Sequence, residues 1–146
     1  MKNVMPENAD VEQFAKALAS LSANAANAPH KAPKPELVAN FIRLRRLRTK
    51  LLGVGLFSDP AWDLLLVLLH KDLTHCRVGL LELGEDAGVP QTTTLRWIGA
   101  LAKHQLVVRS GDHLDARRYF VALAPSARTA LFAYFAELRR TLDATI

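Results

Sequence analysis

Six consecutive aliphatic residues, Leu64 to Leu69, constrain this chain more than any other segment. They follow Ser58-Asp59-Pro60, where a Ser or Asp side chain can cap the first free amides of a helix and proline suits its first turn. A helix is therefore expected over residues 61–71. With Leu or Val at six successive positions it keeps almost no polar face. Neighbouring elements must cover it on most sides, which makes it the central helix of a core. At six residues the run falls far short of the ~20 apolar residues of a bilayer span, and no membrane partner is expected.

The covering has to come from one domain's worth of chain. With 146 residues, half of them hydrophobic, the sequence can bury roughly 68–70% of its unfolded surface without disulfides or metal staples. Cys76 is the single cysteine, so no internal disulfide forms and a reducing compartment is the simplest setting. Residues 1–10 are polar, mixed in charge and lack the basic-then-apolar layout of an export signal, so the expected location is the cytoplasm. Lys and Arg number 19 against 14 Asp and Glu, a formal +5 that suits a polyanionic partner and is also common in proteins without one.

Helical periodicity recurs on both sides of the central helix. Val11, Phe14, Leu18 and Leu21 recur at helical spacing after Asp10, a short amphipathic helix over 10–23, and residues 24–35 read as a linker. A second helix is expected from Pro35 to Gly53 and Gly55, with Leu37, Leu44, Leu47 and Leu51 on one face and Arg43, Arg46 and Lys50 on another. That basic face reads first as a solvated face and second as a phosphate contact. A last helix from Pro125 carries Leu131, Phe135, Leu138 and Leu142 as a stripe.

Between these lie a β-capable pair, Arg77-Val78, a helix over 80–87, a turn at Gly88-Val89-Pro90 and a helix over 91–104. Helix-turn-helix units need a small residue where the helices cross and a glycine four residues later to reverse the chain. Gly84 and Gly88, flanked by Leu83, Ala87 and Val89, meet that need. On the second helix Thr94, Trp97, Ile98 and Leu101 are expected inward, leaving Thr92, Thr93, Leu95, Arg96, Gly99 and Lys103 outward or at the border. Such a surface can enter a major groove. The β-rich segments 106–109 and 119–123, joined by residues 110–114 with Gly111-Asp112 as the turn, add a hairpin, and the order becomes that of a winged helix.

The run Ala87-Gly88-Val89-Pro90-Gln91-Thr92-Thr93-Thr94-Leu95-Arg96, with the spacing Asp115, Arg117, Val121 and Leu123, resembles the turn, recognition helix and wing of the MarR family of winged-helix transcription regulators. The similarity spans roughly residues 41–128. The chain departs from that family at Ala124 and Ala127, where Thr and Gly are usual. It departs again at Thr94, where an aliphatic residue is usual and a hydroxyl can bond back to a helical carbonyl. Gly99 within the recognition helix costs about 1 kcal/mol relative to Ala.

The resemblance implies a mainly α fold with a small β-hairpin wing. The winged helix-turn-helix lobe would cover 58–124, flanked by a helical dimerisation region at 36–57 and 125–146 and by the N-terminal helix and linker at 1–35. Leu37, Leu44, Leu47 and Leu51 would dock against Leu131, Phe135, Leu138 and Leu142 in a two-fold dimer; the plainer alternative is that both stripes are core of one chain. The implied partner is double-stranded DNA carrying a pseudo-palindromic operator, bound by a repressor acting as a homodimer, with each recognition helix in a major groove and each wing reaching an adjacent minor groove. A small-molecule effector between the dimer helices and the DNA-binding lobe is also implied, though no residue marks its pocket.

Chemistry assigns the roles. Arg96 can bond guanine bidentately, Gln91 can do the same for adenine, Thr92 and Thr93 can serve bases or phosphates, and Leu95 can touch a thymine methyl. Lys103 suits phosphate. The wing motif carries over Arg117, oriented by Asp115, with Arg118 and His113 beside it. The plain alternatives are a solvated helix arginine for Arg96 and a wing salt bridge without DNA contact for Arg117.

His70, His75 and Cys76 lack paired metal-ligand spacing, so no metal is expected, and Cys76 reads most simply as a buried inert thiol. Trp62 and Trp97 read as core, and Glu82, Glu85 and Asp86 as a solvated acidic face. No catalytic motif is present, so neither an enzyme nor a cofactor is expected. The other functional class open to this fold is a protein-interaction or architectural module without sequence-specific DNA binding.

Overall fold

Residues 15, 16, 19, 30–52 and 59–145 are described by a computed structural model. Among the described residues the elements from 35 onward follow in the order α1 (Pro35–Leu52), α2 (Pro60–Leu73), α3 (Leu80–Ala87), α4 (Gln91–Lys103), β1 (Val107–Asp112), β2 (Asp115–Leu123) and α5 (Pro125–Thr145). The expected helix over 10–23 lies almost wholly outside the described residues, as do Gly53, Gly55 and Ser58. No described helix is long and apolar enough to cross a membrane.

α2 is the centre of the packing. Asp59 caps it, its carboxylate accepting the Trp62 amide at 3.3 Å, and Pro60 occupies the first turn. Leu64 to Leu69 are all buried, and each such side chain contributes roughly 1.5–3 kcal/mol relative to exposure. α1, α3, α4 and β2 all pack on α2. The bidentate bond from Arg128 to Asp72, at 2.6 and 3.0 Å, ties the start of α5 to the far end of α2.

Three helices close in the same way. After α2 the His75 amide donates to Asp72 O and the Cys76 amide to Lys71 O; after α3 Gly88 donates to Glu85 O and Val89 to Gly84 O; after α4 Gln105 donates to Ala102 O and Leu106 to Leu101 O. This is the paired-bond C-terminal motif in which one residue turns left-handed. Gly88 does so at φ 70°, but His75 and Gln105 do so at 57° and 63° with side chains present. α2 runs two residues past its expected end because this closure, rather than the charged residues Lys71 and Asp72, terminates it.

The outer helices depart from the expected pairing of stripes. On α1 it is Val38 that is buried, with Phe41 and Ile42 packed against the core, while Leu44, Leu47, Leu51 and Leu52 are exposed and Leu37 is half-buried. On α5, Leu131 and Phe135 are core residues of this chain, Leu138 packs partly on the core, and only Leu142 is exposed. The single stripe expected on α5 is thus divided between interior and surface. Phe135 meets Phe41 edge-on at 5.6 Å, and Trp62 meets Tyr134 at 4.9 Å, so aromatic rings join α1, α2 and α5.

Arg45 turns inward and bonds Asp63 at 2.6 Å. Burial pushes the Asp63 carboxyl above its ordinary value of 3.8, and the bond and charge of Arg45 offset only part of that. Because the folded value is raised, Asp63 favours folding while protonated. This contribution is full below the ordinary aspartate value and is lost as pH rises through the raised one.

Phe135→Ala should therefore cost about 3–5 kcal/mol in urea denaturation. Asp63→Asn should flatten the stability profile across the pH window just above the ordinary aspartate value. An unaltered profile there would show that Asp63 titrates alike in the folded and unfolded chain.

Candidate nucleic-acid interface

The helix-turn-helix rests on one close approach. A Cβ added to Gly84 would lie 2.7 Å from Thr94 Oγ1 and 3.1 Å from the Val89 carbonyl, so α3 and α4 meet where only hydrogen fits. The Thr94 hydroxyl donates to Pro90 O at 3.0 Å and lies 3.4 Å from Val89 O. This is the back-bonding anticipated for the polar residue at that position, and it leaves Thr94 fully buried yet satisfied.

α4 sorts its side chains by face. Thr94, Trp97, Ile98 and Leu101 are buried, as expected. Gln91, Thr92 and Lys103 are exposed, Leu95 is exposed, and Arg96 and Gly99 are half-buried. Thr93 corrects the expectation: it is 1% exposed. It lies one turn before Trp97 on the same helical row, and that row faces the core. Thr93 therefore belongs to the packing of α4 and not to its outer surface.

The wing also differs from its expected outline. Its strands stay paired through Gly111↔Tyr119 and close at Asp112↔Asp115, so the tip is His113-Leu114 and not Gly111-Asp112. Ala116, Arg117 and Arg118 stand opposite no residue of β1. Asp112 and Asp115 build the tip, accepting the Leu114 and Arg117 amides at 2.8 and 3.0 Å. Asp115 also meets Arg117 Nε at 3.3 Å, which brings together the two wing residues paired by the sequence motif. Arg117 is 90% exposed, and His113 and Arg118 are exposed beside it. The Arg77-Val78 strand is reduced to an isolated bridge, Gly79↔Phe120, supported by the Val121 amide donating to Val78 O at 2.9 Å.

Two further cations, stacked on rings of the wing, escaped the sequence reading. Arg77 lies over the Phe120 ring at 5.4 Å and Arg109 over Tyr119 at 5.8 Å. The alternation of β2 could have suggested such stacking, but only the strand register fixes which ring each cation meets. Glu82 and Asp86 are not merely solvated, since Lys71 reaches them at 3.7 and 3.2 Å. Burial alone would lower the Lys71 pKa; the hydrogen bond and charge of Asp86, with Glu82, instead hold it above 10.5.

Cys76 is exposed and not buried, because the closure of α2 places it in the following loop, where its thiol donates to Thr74 O. It lines a cleft of about 360 Å³ between the end of α2 and the wing, shared with His75, Arg77 and Phe120. Among the described residues no group of three or more His, Cys, Asp or Glu side chains is arranged to hold a metal ion.

No protein-family model and no curated protein matches the chain. Solved structures do. The adhesin competence repressor AdcR of Streptococcus pyogenes is 16% identical, with 75% of this chain and 76% of that one covered and a TM-score of 0.47. A probable transcriptional regulator of Pseudomonas aeruginosa is 25% identical over 75% of this chain and 82% of that one, with a TM-score of 0.47. MepR of S. aureus, in complex with DNA, is 15% identical over 76% of this chain and 79% of that one, with a TM-score of 0.44.

The two glycines of this unit should respond oppositely to the same methyl. Gly84→Ala should destabilise by about 1–3 kcal/mol through overpacking, and Thr94→Ala in that background should recover part of the loss in a double-mutant cycle. Gly99, whose Cβ would meet nothing within 4 Å, should gain about 0.5–1 kcal/mol on substitution by Ala. Thermal or urea denaturation reads both.

Proposed function

We propose that the chain is a DNA-binding transcription regulator of the MarR type, a repressor that binds a pseudo-palindromic operator as a homodimer. The observation that carries this reading is the sorting of α4: one face is buried against the core, while Gln91, Thr92, Leu95 and Lys103 are turned to solvent directly after a helix-turn-helix joint. A wing with exposed Arg117 close to its tip supports it. In this reading Gln91 and Arg96 contact base edges, Thr92 serves base or phosphate, Leu95 meets a thymine methyl, and Lys103 meets phosphate. His113, Arg117 and Arg118 serve the wing, with Asp115 orienting Arg117.

The lobe over 58–124 would bind DNA. The helices within 36–57 and 125–146 would dimerise through the exposed Leu44, Leu47, Leu51 and Leu142, and Leu37 and Leu138 at the margin. A two-fold protein presents two equivalent helices, so the half-sites would lie about one helical turn apart.

Selection from a random duplex library at two salt concentrations tests the reading. Enrichment of a palindrome supports it; a folded protein that enriches nothing favours the protein-interaction alternative. Arg117→Ala should reduce the salt slope by about 1 while weakening all sequences alike. Arg96→Ala should cost about 1–3 kcal/mol at one base position, and an even loss across sequences would remove Arg96 from base reading. A Leu47→Glu, Leu51→Glu variant should elute as a monomer.

A further inference from the structure

Leu114 is 97% exposed, more than any other large apolar side chain among the described residues, and it occupies the tip of the wing. Turn tips favour Gly, Asn and Asp, which supply the backbone geometry and stay in water. A leucine there adds no burial to this fold. Its position is nevertheless fixed: its own amide is held by Asp112 at 2.8 Å, and the chain just beyond is held by the bond from Arg117 N to Asp115 at 3.0 Å. Both carboxylates are thereby committed to the hairpin, and Asp115 is also paired with Arg117. Arg117 and Arg118, both exposed, follow it within four residues on β2. The tip is thus an apolar point followed closely by two exposed arginines.

We propose that Leu114 is a wedge that enters the minor groove and opens a base step there. The proposal rests on the DNA-binding reading given above and adds a contact of different chemistry to it. Cations draw the tip to the phosphate-lined groove, and an apolar side chain placed between base steps partly unstacks them and bends the duplex by about 20–90°. Leucine has no hydrogen-bonding group and cannot read base edges. Its selectivity comes from how readily a step opens, which favours the pyrimidine–purine steps TA and CA over stiff A-tracts. The wing would then contribute specificity through deformability, and α4 through hydrogen bonds.

The test uses the full chain, its Leu114→Ala and Leu114→Phe variants, and the duplex obtained by selection, labelled at both ends for energy transfer. Circular dichroism and thermal melting confirm that each variant folds. A duplex set changes each step flanking the half-sites between TA and AA in turn. The wild type should bend the duplex and prefer TA at one symmetric pair of steps. Leu114→Ala should bind about 10- to 100-fold more weakly, the equivalent of one buried leucine, with a smaller bend and no preference at those steps. Its salt slope should stay unchanged, because no charge is removed. Leu114→Phe, still an apolar wedge, should keep the bend. A Leu114→Ala protein that binds, bends and discriminates like the wild type overturns the wedge and leaves the DNA-binding reading standing. A wild type that binds no selected duplex overturns that reading and the wedge with it.

Discussion

Burial of α2 on every side sets the arrangement of its neighbours. Its middle offers only Leu and Val to the surrounding elements, so polar contacts with them are confined to its ends. Each end charge reaches a different element: Asp63 meets Arg45 of α1, Lys71 meets Glu82 and Asp86 of α3, and Asp72 meets Arg128 of α5. The apolar run supplies the non-directional attraction, and the three ties fix which element lies where. Removing one partner of such a tie leaves a partly buried charge, so these contacts matter more for arrangement than for net stability.

Much of this was legible in the residues. The capped start of α2, the small residue and glycine of the helix-turn-helix, and the presence of a hairpin after it follow from local rules, and the first two stand where those rules put them. What was not legible depends on which side of a helix meets something else. Thr93 and Thr94 are adjacent and chemically alike, and helical spacing from Trp97 buries the first as surely as spacing from Ile98 buries the second. The leucines of α1 show the same limit, because the core is met by Val38, Phe41 and Ile42 on a neighbouring row. The wing tip shifted because two aspartates hold it, where the glycine at 111 had suggested a turn. Cys76 surfaced because a helix closure carried it out of α2.

The ion pairs also reshape the meaning of the net charge. Asp63, Asp72, Glu82, Asp86 and Asp115 are each engaged by a cation within the chain. Arg43, Arg46, Lys50 and Arg118 remain exposed, and Arg77 and Arg109 are exposed while stacked on rings. The positive field therefore gathers over α1 and the wing, where acids are few or already neutralised.

The three helix closures share one geometry but not one energy. Gly88, between α3 and α4, adopts the left-handed turn without strain, whereas His75 and Gln105 carry side chains into a region that disfavours them by about 1–2 kcal/mol each. The two-helix unit is thus relaxed at its internal joint and strained at both external ones. Glycine in place of His75 or Gln105 would relieve that strain at the borders of the unit, whereas the joint inside it has none to relieve.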